Sequence, residues 1–473
     1  MNLIETFLGT AERCGDRVAI VEPDGSGTTF GALARQTAHL AAAWHARGIE
    51  PGDRVLLAMP VSARLYAGIA ALWQLGAVAV FPEPALGLRG LRHARAATRP
   101  KAFLSAGKFR LLRYALPELW KVPLHLHPTE RDAARAQLYD AGKDHPALIS
   151  FTSGSTGRPK GIVRSHGFLA AQNRCVARML APSSDGVRDL VAFPVFVIVN
   201  LGLGITSVLP NWRLTRHDEA SPAELAALVR KRGVNRLLVP PSICEVLIEG
   251  QELSAIETVF TGGGPVFPDI VERLSRRVPR ADIVSVYGST EAEPIAHHSM
   301  RETSAADWDA MRGGGGLLAG PVIPEARVQL LDDEVVVTGE HVNRGYLDRV
   351  GDDANKLRRD GEVWHKTGDA GRIDAQGRLW LRGRKEGRAG HLYPFEIEVA
   401  ARFWPGVRRV ALVPGTENPM LAVEGDQACC KQWSRLAEEH GDIRVRPVAR
   451  IPLDRRHRSK VDYVALKSML RKS

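Results

Sequence analysis

Cysteine is scarce in this 473-residue chain, and its placement excludes two classes of protein. The five cysteines, Cys14, Cys175, Cys244, Cys429 and Cys430, are odd in number, and the only close pair is adjacent. That suits neither a disulfide framework nor a zinc site, and a reducing cytoplasm is the expected setting. No secretory leader is expected either, because MNLIETFLGTAERCGDRVAI carries acidic residues early and no charged-then-apolar pattern. The nearest thing to a membrane span is residues 191–210, where Pro194, Asn200, Gly202 and Gly204 interrupt the apolar run. A buried strand, loop and helix start is predicted there instead. Lysine is sparse beside arginine, 13 against 51, and the basic residues scatter from Arg13 to Arg471. With no basic arm, zinc spacing or RNP-like motif, the formal charge of +11 predicts no nucleic-acid partner. It suits small anionic substrates. No long stretch is poor in apolar residues and no repeat of solenoid period occurs, so neither disorder nor a repeat array is expected.

What is present reads as an α/β protein. Helical apolar spacing over 30–46, a turn at 48–52, a strand at 54–58, a helix at 67–75 and a strand at 77–81 alternate as in parallel sheet covered by helices. The same alternation is read around 147–180 and 222–260. Residues 301–324, with Gly313 to Gly316 and two prolines, read as a mobile connection. Short strands at 328–331, 334–338, 371–373 and 378–381 then suggest a compact β subdomain. A strand at 407–413 and a helix at 432–439 belong to a small α/β domain of about ninety residues. At this length a large body with a smaller domain is expected.

The sharpest chemical signal is Phe151-Thr-Ser-Gly-Ser-Thr-Gly-Arg-Pro-Lys-Gly161, after an apolar strand and before a helix that Ser165 can cap. Small residues let backbone N–H groups curl around phosphate oxygens, and the hydroxyls of Ser153, Ser155 and Thr156 and the charge of Lys160 add to them. Gly-Lys-Ser/Thr is absent, so this phosphate loop is not that of the P-loop NTPases.

With that loop the chain resembles the adenylate-forming superfamily of acyl-CoA synthetases, nonribosomal adenylation domains and luciferases. The other segments that carry the resemblance are Gly52-Asp-Arg-Val55, Gly262-Gly-Gly-Pro265, Tyr287-Gly-Ser-Thr-Glu291, the block ending in Gly345-Tyr346, Lys366-Thr-Gly-Asp369 and Gly383-Arg384. The similarity implies ATP- and Mg²⁺-dependent, AMP-forming activation of a carboxylic acid. It implies that Thr152, Ser153, Gly154, Ser155, Thr156, Gly157 and Lys160 bind phosphates, and that Gly263, Gly264, Pro265, Tyr287 and Gly288 surround the adenine. By the same likeness Asp369 accepts from the ribose hydroxyls, Arg384 approaches the ribose, Thr290 steadies the α-phosphate and Glu291 binds Mg²⁺. Lys460 takes the place of the superfamily's catalytic lysine, although Ser459 stands where a glycine is usual. The implied layout is a body of residues 1–383 holding ATP and acid, a hinge at 384–386 around Glu386, and a C-terminal lid of 387–473.

Within the superfamily the chain most resembles the β-lactone synthetases of bacterial long-chain olefin biosynthesis. Residues 84–92, Phe193-Pro-Val-Phe196, residues 361–369, Leu392-Tyr-Pro394 and Arg456-His457 carry that likeness. It departs from common CoA ligases by about four missing residues between Arg384 and Pro394. The acid pocket is expected from Phe193, Phe196, Asn200, Gly202, Ser242 and Gly262, with Asn200 and Ser242 its polar choices. The favoured outcome is a β-lactone from a 3-hydroxy acid. The alternatives are an acyl-CoA or carrier-protein ligase, which has CoA or a carrier as acceptor, and an inactive nucleotide-binding relative.

Overall fold

Short apolar strands separated by amphipathic helices build the first two sheets of the chain. The structure is a computed structural model that describes residues 2–83, 86–130, 132, 136–152, 159–182, 186–415, 419–453 and 460–471. One six-stranded sheet runs Leu124–Leu126, Ala102–Ser105, Arg54–Ala58, Val78–Phe81, Pro146–Thr152, Lys160–Ser165, parallel except for its last strand. An eight-stranded sheet has six parallel inner strands, from Asp282–Ser289 through Thr258–Gly262, Arg236–Val239, Arg188–Val191 and Thr206–Val208 to Val18–Val21, and antiparallel edges. Ala102–Ser105 and Arg236–Val239 are buried throughout, as strands covered by helices on both faces must be. The helices Phe30–Ala46 and Ala63–Gln74 pack between these sheets on Trp44, Leu72 and Trp73.

The expected alternation holds from residue 30 to 81, but not over 147–180. Lys160–Ser165 pairs antiparallel with Pro146–Thr152, Thr152 opposite Lys160, before the helix His166–Leu180 begins. The phosphate loop therefore joins the two strands of a hairpin. The extra strand is hidden in the sequence because it starts inside the motif, at Lys160. Ser165 does cap the helix, its hydroxyl accepting from the Phe168 amide at 3.1 Å.

Residues 301–324 are not a loose connection. They contain the helix Ala305–Arg312 and the strand Leu317–Pro321. A capping box starts the helix: the Ser304 hydroxyl accepts from the Asp307 amide, and the Asp307 carboxylate accepts from the Ser304 amide. Asp307 also takes a bidentate pair from Arg378, and Met311 is buried. The glycines lie after the helix, where Gly314 and Gly316 adopt φ of 89° and 92°.

Next comes an antiparallel sheet of Leu317–Pro321, Arg378–Arg384, Glu362–Ile373, Glu334–Thr338 and Arg327–Leu331, with Lys356–Arg359 beside Glu362–Ile373. Residues 371–373 are thus the end of a twelve-residue strand that contains the Lys366–Asp369 motif. The chain closes in a small C-terminal sheet of Val407–Val413, Met420–Gly425 and Arg444–Val448 with its own apolar core around Ile397, Leu412, Leu421 and Trp433. It meets the body where Arg402 pairs with Asp269, Arg409 with Glu245, and Phe395 meets the edge of Phe267 at 5.8 Å. The 191–210 run forms the strand Arg188–Val191, the helix Pro194–Leu203 and the strand Thr206–Val208. Among the described residues no helix is long and apolar enough to cross a membrane.

Candidate active site

The hairpin between Asp282–Ser289 and Ala292–Ser299 places Thr290 and Glu291 at its tip. Its register shifts between Tyr287 and Ser289, and Gly288 allows this. A Cβ on Gly288 would lie 2.9 Å from the Ala292 carbonyl oxygen and 3.1 Å from the Glu293 Cα. The Tyr287 hydroxyl donates to Asp369 at 2.8 Å, and Arg384 donates to the other Asp369 oxygen at 3.0 Å and to the Thr367 carbonyl at 2.8 Å. Burial, then the Asp369 charge, push the Tyr287 hydroxyl well above its ordinary range, so it stays a donor. Gly368 makes room for Arg384: a Cβ there would lie 2.5 Å from a guanidinium nitrogen. Three residues distant in sequence, Tyr287, Asp369 and Arg384, are thereby brought together.

Glu291 sits in a second cluster that joins the phosphate hairpin to the Gly345-Tyr346 block. Its carboxylate accepts from the Tyr346 hydroxyl at 2.9 Å, and its carbonyl from the Asn343 amide at 2.7 Å. The ammonium of Lys356 donates to the Asn343 carbonyl and lies 3.4 Å from His365 Nδ1. Lys356 and the buried Lys160 lie 5.3 and 5.4 Å from the Tyr346 ring centroid, within cation–π range. Burial pushes Lys356 down to about 8, against the pull of Glu291 and Asp352, and pushes His365 down to about 4, helped by the Lys356 charge. Burial opposes the charge on Glu291, but the neighbouring His365, then the Tyr346 hydroxyl and the Lys356 ammonium, outweigh it and hold the carboxyl below its usual range.

That anionic hard oxygen fits Mg²⁺, which is commonly held by one or two carboxylates together with water and substrate phosphates. Among the described residues no group of three or more His, Cys, Asp or Glu could hold a metal alone. Glu291 is then a carboxylate that could hold the ion together with substrate phosphates and water. Sequence reading named Glu291 and missed Lys356 and His365, which lie outside the superfamily segments quoted for the nucleotide except as neighbours of Tyr346 and Lys366.

On the other side of the hairpin lies a pocket of about 300 Å³, open mouth included, lined by Phe193, Phe196, Gly262, Gly263, Val286 and Glu293 among others. The rings of Phe193 and Phe196 pack edge to face in its wall, 5.7 Å apart. Gly262 cannot carry a side chain, since a Cβ would meet the Val286 carbonyl oxygen at 2.5 Å, and Gly263 turns the chain at φ 75°. Gly264 and Pro265 follow, half-buried, in that turn.

Three expected pocket residues are elsewhere. Asn200 is fully buried and donates to Asp189 at 3.0 Å and to Ser207 at 3.1 Å, completing the bidentate Asp189–Arg236 pair. Ser242 bonds His217 at 2.7 Å. Gly202 lines a different apolar cavity beside Leu3, Phe7 and Tyr66, and its carbonyl accepts from Thr10. Only one face of Pro194–Leu203 meets the pocket, and Asn200 and Gly202 lie off it. Glu293, which sequence reading passed over, supplies the pocket's carboxylate. Burial pushes it up to about 7, while the Arg164 charge opposes the shift. Arg164 is itself buried and donates to the Thr290 carbonyl at 2.9 Å.

Of the phosphate loop, Thr152 closes the strand Pro146–Thr152, and Ser153, Gly154, Ser155, Thr156 and Gly157 lie outside the described residues. Glu386 is exposed in the turn Lys385–Gly387. Lys460 is exposed just before Val461, which bridges to Leu453.

A family model described as AMP-binding enzyme matches residues 7–347. The chain belongs to that family. It is an AMP-forming acid ligase, built on the adenylate-forming fold. It is 32% identical to the olefin beta-lactone synthetase of Xanthomonas campestris pv. campestris, over 89% of this chain and 87% of that one. It is 29% identical to a feruloyl-CoA synthase of Amycolatopsis sp, over 86% and 84%. Its fold matches o-succinylbenzoate coenzyme A synthetase of Bacillus subtilis, solved with ATP and magnesium ion, at a TM-score of 0.77 and 20% identity, over 98% and 99% of the two chains.

Proposed function

We propose that this ligase activates a 3-hydroxy acid as its adenylate and closes it to a β-lactone. In the first step a carboxylate oxygen attacks the α-phosphorus of ATP and pyrophosphate leaves. In the second, the 3-hydroxyl oxygen attacks the acyl carbon, AMP departs with the bonding electron pair, and the hydroxyl proton passes to solvent. Such internal attack needs no channel for a second substrate and can reach effective molarities of about 10⁵ M or more. The observation that carries the reading is the likeness over nearly the whole length to an olefin beta-lactone synthetase. The short 384–394 segment supports it. There Ala389 pairs back on Leu392, and Pro394 packs so closely on Gly383 and Gly387 that a Cβ at either would meet its ring within 2.9 Å.

In this reading Asp369 binds the ribose. A carboxylate offers about four acceptor positions, of which Tyr287 and Arg384 use one each, leaving two for the ribose hydroxyls. Gly263, Gly264 and Pro265 border the adenine, against the Tyr287 ring. The 152–157 loop, Lys160 and Thr290 hold phosphates. Mg²⁺ on Glu291 would neutralise phosphate charge. Lys460, carried by a lid of residues 387–473 that turns about 384–386, would place its ammonium against the negative charge that develops as pyrophosphate leaves.

A second reading, an acyl-CoA ligase, is favoured by the feruloyl-CoA synthase likeness. Product analysis with matched 3-hydroxy and unsubstituted acids, ATP, Mg²⁺ and CoA separates the two. The proposal expects lactone from the hydroxy acid and little thioester. Rapid thioester formation from both acids, without lactone, would replace it with the second reading.

A further inference from the structure

We infer that Glu293 is the specificity-determining residue of the acid pocket, accepting a hydrogen bond from a hydroxyl close to the carboxyl end of the substrate. The pocket's described walls explain why. Glu293 carries their only charge, and the one other polar side chain, Thr261, accepts from the Cys244 thiol at 3.5 Å. The remaining lining is aromatic, aliphatic or glycine. Among the described residues no hydrogen bond reaches the Glu293 carboxylate, and its charged neighbour Arg164 spends a guanidinium N–H on the Thr290 carbonyl. A pocket that served only an alkyl chain has no use for a carboxylate at its wall, where desolvation costs free energy that an incoming donor would offset.

Position sets which donor is recognised. Glu293 is the second residue of Ala292–Ser299, two residues beyond Glu291 at the hairpin tip, so it faces the end of the acid nearest the nucleotide. A hydroxyl at C3 lies at that end, whereas a donor far along a chain does not. The inference rests on the 3-hydroxy acid reading, but it concerns recognition before the adenylate forms and is independent of what later accepts the acyl group. The bland alternative is that Glu293 is only the counter-ion of Arg164.

The test measures acid-dependent exchange of labelled pyrophosphate into ATP with three matched substrates: a 3-hydroxy acid, its 3-methoxy ether, and the unsubstituted acid. The wild-type kcat/KM should favour the hydroxy acid over the other two by roughly 10- to 100-fold, the range expected when a site built for a donor meets an analogue without one. Glu293→Leu should bring that ratio near one, and Glu293→Gln, whose amide oxygen still accepts, should keep part of it. Equal loss for all three acids, with the ratio kept, would assign Glu293 to Arg164 and overturn the inference. If Glu293→Leu does not fold, the hydroxy-to-methoxy ratio of the wild type and of Glu293→Gln decides, and a wild-type ratio near one overturns it. Lactone or thioester as final product is read separately, so failure of ring closure leaves the exchange ratio standing.

Discussion

Replacing Asp369 by asparagine removes one charge and half of the acceptor capacity at the centre of the proposed nucleotide site while keeping the side chain's shape. The wild-type carboxylate receives Tyr287 at 2.8 Å and Arg384 at 3.0 Å, and the two acceptor positions left over are assigned to the ribose. An asparagine oxygen has two lone pairs, which Tyr287 and Arg384 already claim, and its amide group presents donors to hydroxyls that need acceptors. Each hydrogen bond to a charged group contributes about 1.5–3 kcal/mol, so losing two predicts an ATP dissociation constant raised about 100-fold or more. Folding should suffer far less. Arg384 is half exposed, and a pair of that kind contributes about 0–1 kcal/mol. Calorimetric titration with ATP gives the first quantity and thermal unfolding the second. A folded Asp369→Asn protein that binds ATP within threefold of wild type would refute the assignment of Asp369 to the ribose.

Lys460→Ala should slow pyrophosphate exchange by a hundredfold or more while ATP affinity changes less than threefold, because a charge used only in the transition state acts on rate; exchange and titration on the same preparation check this. Removing Mg²⁺ with a chelator should abolish exchange, and Glu291→Gln should raise the Mg²⁺ concentration giving half-maximal rate, read from a metal titration. Asp189→Ala should cost about 3–5 kcal/mol in urea unfolding, since it leaves the buried Arg236 guanidinium without its bidentate partner. Burial pushes Glu398 up to about 7, against the Leu412 amide and the Tyr463 hydroxyl that favour its charge. The folded C-terminal sheet therefore holds that proton more tightly than the unfolded chain does, and the stabilisation is complete below about pH 4.5 and lost as pH rises through 7. That 2.5-unit difference is worth roughly 3 kcal/mol, and Glu398→Gln should remove this slope from unfolding measured between pH 5 and 8.

The elements legible in the sequence were those whose physics is local. Phe30–Ala46, Arg54–Ala58, Glu334–Thr338 and Val407–Val413 fall where their apolar periodicity predicted. Glycine misled the reading at 301–324, because four glycines in a row outweighed the Ser304–Asp307 capping box, whose helix is secured by a non-local partner, Arg378. The strand Lys160–Ser165 was hidden by a motif, since a segment already explained by phosphate chemistry drew no second explanation. Site residues divide the same way. Segments with a recognisable order, such as Tyr287–Glu291 and Lys366–Asp369, were found. Asn200 and Ser242 turn to the core instead of lining the pocket beside Glu293, because period alone does not tell which face of a helix meets a pocket.

Lys356 and Glu293 had no sequence signal, and His365 stood within residues 361–369 without an assigned role; the reason bears on how the site works. Lys356 and His365 take their character from burial together with Glu291 of a distant hairpin, and Glu293 from a wall built in part by other strands. Lys356 is an ordinary lysine until Tyr346, Asn343 and His365 surround it and burial lowers its proton affinity. Glu293 reads as one of many surface glutamates until Phe193, Phe196 and Val286 enclose it. Phosphate and ribose are common to all adenylation, so the segments proposed to hold them keep a recognisable order, whereas the proposed acid pocket answers to whichever acid is bound. The difference between a β-lactone synthetase and a CoA ligase on this fold is therefore to be sought in the pocket beside Glu293 and the short 384–394 turn, where a single half-buried carboxylate can decide which acids are admitted and a few missing residues can decide what the adenylate meets next.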